Sequence, residues 1–101
     1  MSLRVRLLPE AKDEFDAAAD WYEDQRSGLG IDFVAKVREV LDRIAANPRL
    51  HGTVYRNVRK AIVRRFPYVV LYREEIDEVI VIAVFHSSRD PSHWQRRAAD
   101  E

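Results

Sequence analysis

Residues 54–86, which read VYRNVRKAIVRRFPYVVLYREEIDEVIVIAVFH, contain three strand-like segments separated by turn residues. The first, residues 54–66, is β-branched, aromatic and basic. The second, residues 68–73, follows Pro67, and the third, residues 78–86, is almost entirely apolar. A continuous apolar run is typical of a central strand that is covered on both faces, whereas a basic strand is expected to be half exposed. The segment therefore predicts a three-stranded antiparallel meander with a polar hairpin loop before its last strand.

Two helices are predicted upstream of these strands. Pro9 ends a short alternating strand at residues 3–8 and suits the first turn of a helix, so we predict a helix over about residues 9–26. The glycines of residues 27–30 favour a sharp turn, and a second helix follows until Asn47-Pro48. The apolar stripes of these helices consist of Ala11, Phe15, Ala18, Ala19 and Tyr22 in the first and of Phe33, Val34, Val37, Val40, Leu41 and Ile44 in the second.

The predicted element order is β-α-α-β-β-β. Helices that follow one another, and strands that do the same, indicate an α+β fold in which an antiparallel helical hairpin packs on one face of a mainly antiparallel sheet. The other face is expected to stay open for function. A chain of 101 residues has the length of a single domain, residues 1–101, and Asp90-Pro91 are expected to begin a short C-terminal helix or tail.

Composition and charge exclude several classes of function. The sequence has no cysteine, which rules out disulfides, thiolate metal sites and cysteine nucleophiles, and its three scattered histidines do not suggest a metal site. No cofactor is expected. No segment resembles a signal peptide or a membrane span, so a cytoplasmic protein is expected. The 17 basic and 17 acidic residues balance, but they are segregated: residues 10–24 hold seven acids and one base, and residues 49–73 hold seven bases and no acid.

Several short motifs, taken in order, resemble the RelE/ParE family of toxins from bacterial type II toxin-antitoxin, or plasmid stabilisation, systems. They cover nearly the whole chain and comprise Leu7-x-Pro9-x-Ala11, Tyr22, Phe33 with Leu41, Pro48, Arg65-Phe66-Pro67-Tyr68-x-x-x-Tyr72 and Val84-x-His86-x-x-Arg89. The last two motifs are more similar to the ParE side of the family than to the RelE side.

The resemblance implies one of two toxic activities. ParE-like members poison DNA gyrase by binding it, and RelE-like members are ribosome-dependent endoribonucleases that cut mRNA with basic residues on the open sheet face. In the RelE-like pattern an arginine follows the aromatic residue that opens the third strand, and here that position is Val69. We therefore expect a ParE-like binding protein, with a RelE-like nuclease and a non-toxic interaction module of the same fold as the alternatives. Either toxin is expected to pair with a cognate antitoxin in a hetero-oligomer, and a homodimer is also open.

The candidate site residues are mostly cations of the second half of the chain. If the protein were a nuclease, His86 could move a proton while cations held the phosphate, although a histidine at a strand end also serves structural roles. The nuclease candidates are His86, Arg89, Arg65 and Lys60, and the partner-binding candidates are Arg59, Arg64, Arg65, Arg89, Trp94, Arg96 and Arg97. The arginine-rich strand suits an acidic antitoxin segment, nucleic acid or plain solvent.

The two tryptophans are expected to have different roles. Trp21 adjoins the apolar stripe of the first helix and is expected to pack in the core or in the helical hairpin. Trp94 lies in the tail and, if exposed, would anchor a partner.

Overall fold

The computed structural model describes residues 2–100 and contains three helices and one five-stranded sheet. The elements in chain order are β1 (Arg4–Leu7), α1 (Pro9–Gln25), α2 (Leu29–Ala46), β2 (Thr53–Tyr55), β3 (Val58–Ile62), β4 (Tyr68–Glu74), β5 (Glu78–His86) and α3 (Ser92–Asp100). The strand order is β1-β5-β4-β3-β2, with β1 parallel to β5 and the other neighbours antiparallel. The predicted α+β class is confirmed.

The prediction of one strand over residues 54–66 is wrong, because the chain reverses inside that segment. Arg56 adopts a left-handed conformation with φ 53°, and Arg56-Asn57 form the turn that pairs β2 with β3. Asparagine favours such turns because its side chain can bond nearby backbone groups. β3 then ends at Ile62, since a second left-handed residue, Arg65 at φ 71°, and Pro67 redirect the chain into β4.

The helical hairpin packs closely because of a glycine at the start of α2. A Cβ atom on Gly30 would lie 2.6 Å from the carbonyl oxygen of Ala19 in α1, so any larger residue would push the helices apart. The Glu23 carboxylate accepts hydrogen bonds from the backbone N–H groups of Gly28 and Gly30, at 2.9 and 3.0 Å. These bonds satisfy free donors at the start of α2 and fix the turn between the helices.

Both faces of the sheet bury apolar residues, but different elements cover them. The hairpin face holds a cluster that includes Ala11, Phe33, Val37, Val40, Ile44, Ala61, Val70, Tyr72 and Val79. The opposite face holds a second cluster of Leu8, Val58, Val69, Leu71, Ile80, Ile82, Ala83, Phe85 and Trp94. Trp94 belongs to α3, so this helix covers part of the face that the sequence predicted to be open.

An ion pair between α1 and α3 closes one edge of the sheet. β1 pairs with β5 only as far as Val81, which leaves the next part of that edge without a neighbouring strand. There the Arg97 guanidinium donates to the carbonyl oxygen of Ile82 at 2.8 Å, and Glu14 accepts from the N–H of Val84 at 3.1 Å. Arg97 and Glu14 also bond each other through two nitrogen–oxygen contacts of 3.1 and 3.0 Å. The pair thereby satisfies backbone groups that a strand would otherwise bond.

Candidate functional site

A cleft of about 280 Å³ lies beside α3, on the sheet face away from the helical hairpin. We call it the cationic cleft. The apolar floor includes Val69, Phe85 and Trp94. The basic rim includes Lys60, His86 and Arg89. Among residues 2–100, no aspartate or glutamate lines it. The cleft therefore offers hydrogen-bond donors and positive charge over an apolar surface.

Strand alternation in β3 brings Lys60 to this cleft. Ala61 and Val63 are buried against the helical hairpin, so Lys60 and Ile62, which alternate with them, face the other way. Lys60 pairs in register with Leu71 of β4 and is exposed at the rim, while Ile62 beside it is 64% exposed. Strand alternation thus places Lys60 on the sheet face that bears the cleft, whereas Arg59 lies on the hairpin side.

Arg89 reaches the same cleft from the turn after β5. Its backbone N–H donates to the carbonyl oxygen of His86 at 3.1 Å, and its guanidinium carbon lies 4.6 Å from the ring centroid of Phe85. A cation over an aromatic face is attracted by the ring quadrupole. This contact positions the Arg89 charge at the rim of the cleft and leaves its donors accessible.

His86 is held in one proton arrangement by the turn that follows it. Its Nδ1 accepts a hydrogen bond from the backbone N–H of Ser88 at 3.1 Å and lies 2.8 Å from the Ser88 hydroxyl oxygen. A backbone N–H can only donate, so Nδ1 carries no proton and the neutral ring carries its proton on Nε2. In this geometry Nε2 is a hydrogen-bond donor and has no lone pair with which to act as a base.

Tyr68 packs beside His86 at the end of the cleft region. The two ring centroids lie 5.2 Å apart at an angle of 73°. Burial raises the pKa of the Tyr68 phenol, while the positive charge of Arg89 opposes the rise and the negative charge of Glu14 adds to it. The phenol therefore stays protonated at neutral pH and can only add polarity and aromatic surface.

Four further predicted cations lie outside the cationic cleft. Arg59 faces the hairpin side, where its NH1 donates to the carbonyl oxygen of His51 at 2.6 Å. Arg64 and Arg65 are exposed in the turn after β3, and Arg96 is exposed on α3. Of the predicted cations, only Lys60 and Arg89 line the cleft together with His86.

Two predicted partner-binding residues are internal. Trp94 is 5% exposed and its ring lies 5.8 Å from that of Tyr55, so it is a core residue and not an exposed anchor. Its position on the inward face of α3 buries its large apolar ring. The guanidinium of Arg97 is bonded to Glu14 and to the carbonyl of Ile82, so its donors are used inside the fold.

Sequence reasoning misplaced Trp21 and overlooked Glu14. Trp21 was expected in the core or in the hairpin but is 58% exposed, because it lies beside the apolar stripe of α1 and not on it. Glu14 is three residues after Ala11 and four before Ala18, and both of these are buried. That spacing places a carboxylate on the inward face of α1, which signals a buried partner such as Arg97.

Three donors over an apolar floor suit an anionic ligand that also carries apolar groups. Guanidinium and ammonium groups bind carboxylate and phosphate with charge-assisted hydrogen bonds. Within residues 2–100, no group of three or more His, Asp or Glu side chains could hold a metal ion. None of the helices in the described part of the chain is long and apolar enough to cross a membrane.

A helical hairpin on one face of a five-stranded mixed sheet, with a cationic cleft on the other face, places the chain among α+β domains that present a basic binding surface. The sequence model of the ParE toxin of the type II toxin-antitoxin system parDE matches residues 5–91. The chain therefore belongs to the ParE toxin family.

A solved structure has the same fold at low sequence identity. A chain of the chromosomal ParDE toxin-antitoxin system from P. aeruginosa superposes with a TM-score of 0.74 at 15% identity, over 84% of this chain and 96% of that one. No curated protein matches the sequence.

Proposed function

We propose that this ParE family member arrests growth by binding DNA gyrase, without a catalytic turnover of its own, and is neutralised by a cognate antitoxin in the cytoplasm. Membership of the ParE toxin family supports the toxin and antitoxin parts of the proposal. The observation that supports a binding role is the hydrogen bonding of His86: its Nδ1 accepts from Ser88, and its Nε2 is a donor. The cationic cleft can therefore hold an anion but supplies no histidine base to activate a nucleophile.

An acidic antitoxin segment is the ligand that we propose for the cationic cleft. Glutamate or aspartate would pair with Lys60 and Arg89, and neighbouring apolar side chains would cover Val69 and Phe85. A segment that is disordered when free and folds on the toxin would form the toxin-antitoxin hetero-oligomer. Arg64, Arg65 and Arg96 are exposed and are proposed contacts for the parts of a longer partner that extend beyond the cleft.

A RelE-like endoribonuclease acting on ribosome-bound mRNA is the second candidate function. The observation in its favour is that three of its four candidate residues, Lys60, His86 and Arg89, line one cleft. Arg65 lies outside that cleft, in the turn after β3. Cleavage by this site would require the turn at Ser88 to release Nδ1 so that the imidazole could exchange protons.

Expression in bacteria without an antitoxin tests the proposal. The wild-type protein and a His86→Ala variant are both expected to stop growth, because the proposed activity needs no proton transfer. Loss of arrest in His86→Ala, with cleaved ribosome-bound mRNA in the wild type, would instead support the nuclease. His93→Ala, an exposed histidine on α3, is the matched control. Normal growth with the wild-type protein would leave only the non-toxic interaction module.

A further inference from the structure

Two neighbouring cavities on the α1 side of the molecule share three aromatic side chains, Trp21, Tyr68 and His86. Their volumes are about 280 and 420 Å³, and Pro67 and Ala17 add to their apolar walls. We call the two together the aromatic cleft. The aromatic cleft and the cationic cleft lie on opposite sides of the end of β5, and His86 lines both.

Trp21 is exposed without being needed for the core. The aromatic core contacts of α1 are made by Phe15, whose ring lies 6.0 Å from Phe33, and by Tyr22, whose ring lies 5.2 Å from Phe33 and 4.9 Å from Phe66. Trp21 contacts only the outer edge of this group, at 5.1 Å from Tyr22. An exposed tryptophan over a concave aromatic wall has the form of an interface anchor.

The charges beside Trp21 are negative. Asp13, Asp20 and Asp24 follow one line on the surface of α1 at spacings of seven and four residues, and Asp24 is one turn from Trp21. None of these three carboxylates forms an ion pair within residues 2–100, whereas Asp16 is paired with Lys12 at 2.6 Å. Among the described residues, the charged side chains that line the aromatic cleft are Arg89 and Glu14, and Glu14 is paired with Arg97. The three aspartates lie beside the cleft on α1 and are not part of its lining.

We infer that the aromatic cleft is a docking surface for a basic segment of another protein that carries apolar side chains. Arginine side chains stack on tryptophan and pair with carboxylates, so both features of the surface select the same residue type. Nucleic acid suits the surface less, since its phosphates would face the unpaired carboxylates of α1. The inference goes beyond the proposed function: it assigns a second partner, of opposite charge to the ligand of the cationic cleft.

NMR titration of the indole N–H signal of Trp21 tests this inference. The chain has two tryptophans, so Trp21→Phe assigns the signal. The probes are a hexapeptide of alternating arginine and leucine, its counterpart with glutamate in place of arginine, and oligouridylate. The arginine peptide is expected to shift the Trp21 signal to saturation, and the other two probes are not. Stronger binding of either of those at Trp21 would overturn the inference, as would no binding of the arginine peptide.

Variants of exposed residues separate docking from non-specific charge attraction. Trp21→Ala is expected to lower the affinity for the arginine peptide about tenfold. The double variant Asp20→Asn with Asp24→Asn is expected to lower it about threefold. Ile76→Ala, at a fully exposed position, and Asp42→Asn on α2 are matched controls that should change nothing. Equal affinity for wild type and Trp21→Ala would contradict the inference. A Trp21 signal that moves with protein concentration alone would also contradict it, because the occupant would then be a second copy of this chain.

Discussion

The cationic cleft and the aromatic cleft share His86 and Arg89 but differ in charge and in construction. The cationic cleft rests on strands and takes its charge from Lys60 and Arg89, while the aromatic cleft rests on α1, whose surface beside Trp21 carries the unpaired carboxylates of Asp20 and Asp24. A net charge of zero conceals this division, because residues 10–24 hold seven acids and one base, whereas residues 49–73 hold seven bases and no acid. Interactions between exposed charges are largely screened beyond about 8–10 Å at physiological salt, so each surface presents its own sign to a partner.

The difference also suggests how one small domain can serve two partners. An acidic ligand and a basic ligand would approach opposite sides of the end of β5, and each would be repelled by the other surface. The two clefts should therefore respond independently to most substitutions.

Loss of the ion pair between Glu14 and Arg97 should have the largest effect, because Glu14 lines the aromatic cleft and Arg97 anchors α3, the helix whose Trp94 lines the cationic cleft. The two side chains are 17% and 15% exposed, and Arg97→Leu would leave the Glu14 carboxylate without its cation. We expect the free energy of unfolding to fall by about 3 kcal/mol in urea denaturation. Lys12→Ala removes the exposed pair with Asp16 and should cost no more than about 0.5 kcal/mol. Equal losses in the two variants would contradict the structural role assigned to Glu14 and Arg97.

Charge reversal at Lys60 should separate the clefts. In Lys60→Glu, we expect affinity for the glutamate-leucine hexapeptide to fall about tenfold, because an attractive contact becomes a repulsive one. Affinity for the arginine-leucine hexapeptide should stay within about twofold of the wild type. Calorimetric or NMR titrations measure both. Arg4→Glu, at an exposed position of β1, controls for the change in total charge. Parallel changes in affinity for the two peptides would show that the surfaces are not independent.

Arg65 is predicted to be strained and to lie outside both clefts. Its φ of 71° is a conformation that disfavours every residue with a Cβ atom except a few polar ones. Arg65→Gly should raise the free energy of unfolding by about 0.5 kcal/mol, since relief of strain exceeds the added flexibility of the unfolded chain. Both hexapeptide affinities should be unchanged. A loss of stability as large as in Arg64→Gly, where φ is not positive, would rule out the strain.

Acid should weaken the fold modestly through His51, which lies in neither cleft. Burial, and then the positive charge of Arg43, lower the pKa of His51, whose Nε2 is buried without a hydrogen-bond partner among the described residues. The unfolded chain therefore takes up this proton at higher pH than the folded chain. The stabilisation is complete above the usual histidine pKa and is lost as the pH falls from there through the lower folded value. Urea denaturation at several pH values between 7.5 and 5 gives the free energy of unfolding as a function of pH. This free energy should fall less with falling pH in His51→Gln than in His93→Gln.

The sequence was sufficient to predict the elements that local patterns define. Periodicity located both long helices, and the apolar run at residues 78–86 identified β5 as a central strand, because burial imposes these patterns directly on the chain. The reversal at Arg56-Asn57 was missed, since an arginine in a left-handed conformation gives no glycine signal. Whether Trp94 and Arg97 are buried depends on where α3 packs on the sheet. That position is a long-range property, which the residues of α3 do not determine alone.

DNA supercoiling by purified gyrase, titrated with this protein, distinguishes gyrase binding from mRNA cleavage. We expect supercoiling to fall as the protein approaches the concentration of gyrase, while mRNA on ribosomes treated with the same protein remains intact. Lys60→Glu and His86→Ala proteins run in parallel show whether the cationic cleft or a proton transfer contributes. Undiminished supercoiling at an excess of folded wild-type protein, together with cleaved ribosome-bound mRNA, would show that the protein is a nuclease and does not inhibit gyrase.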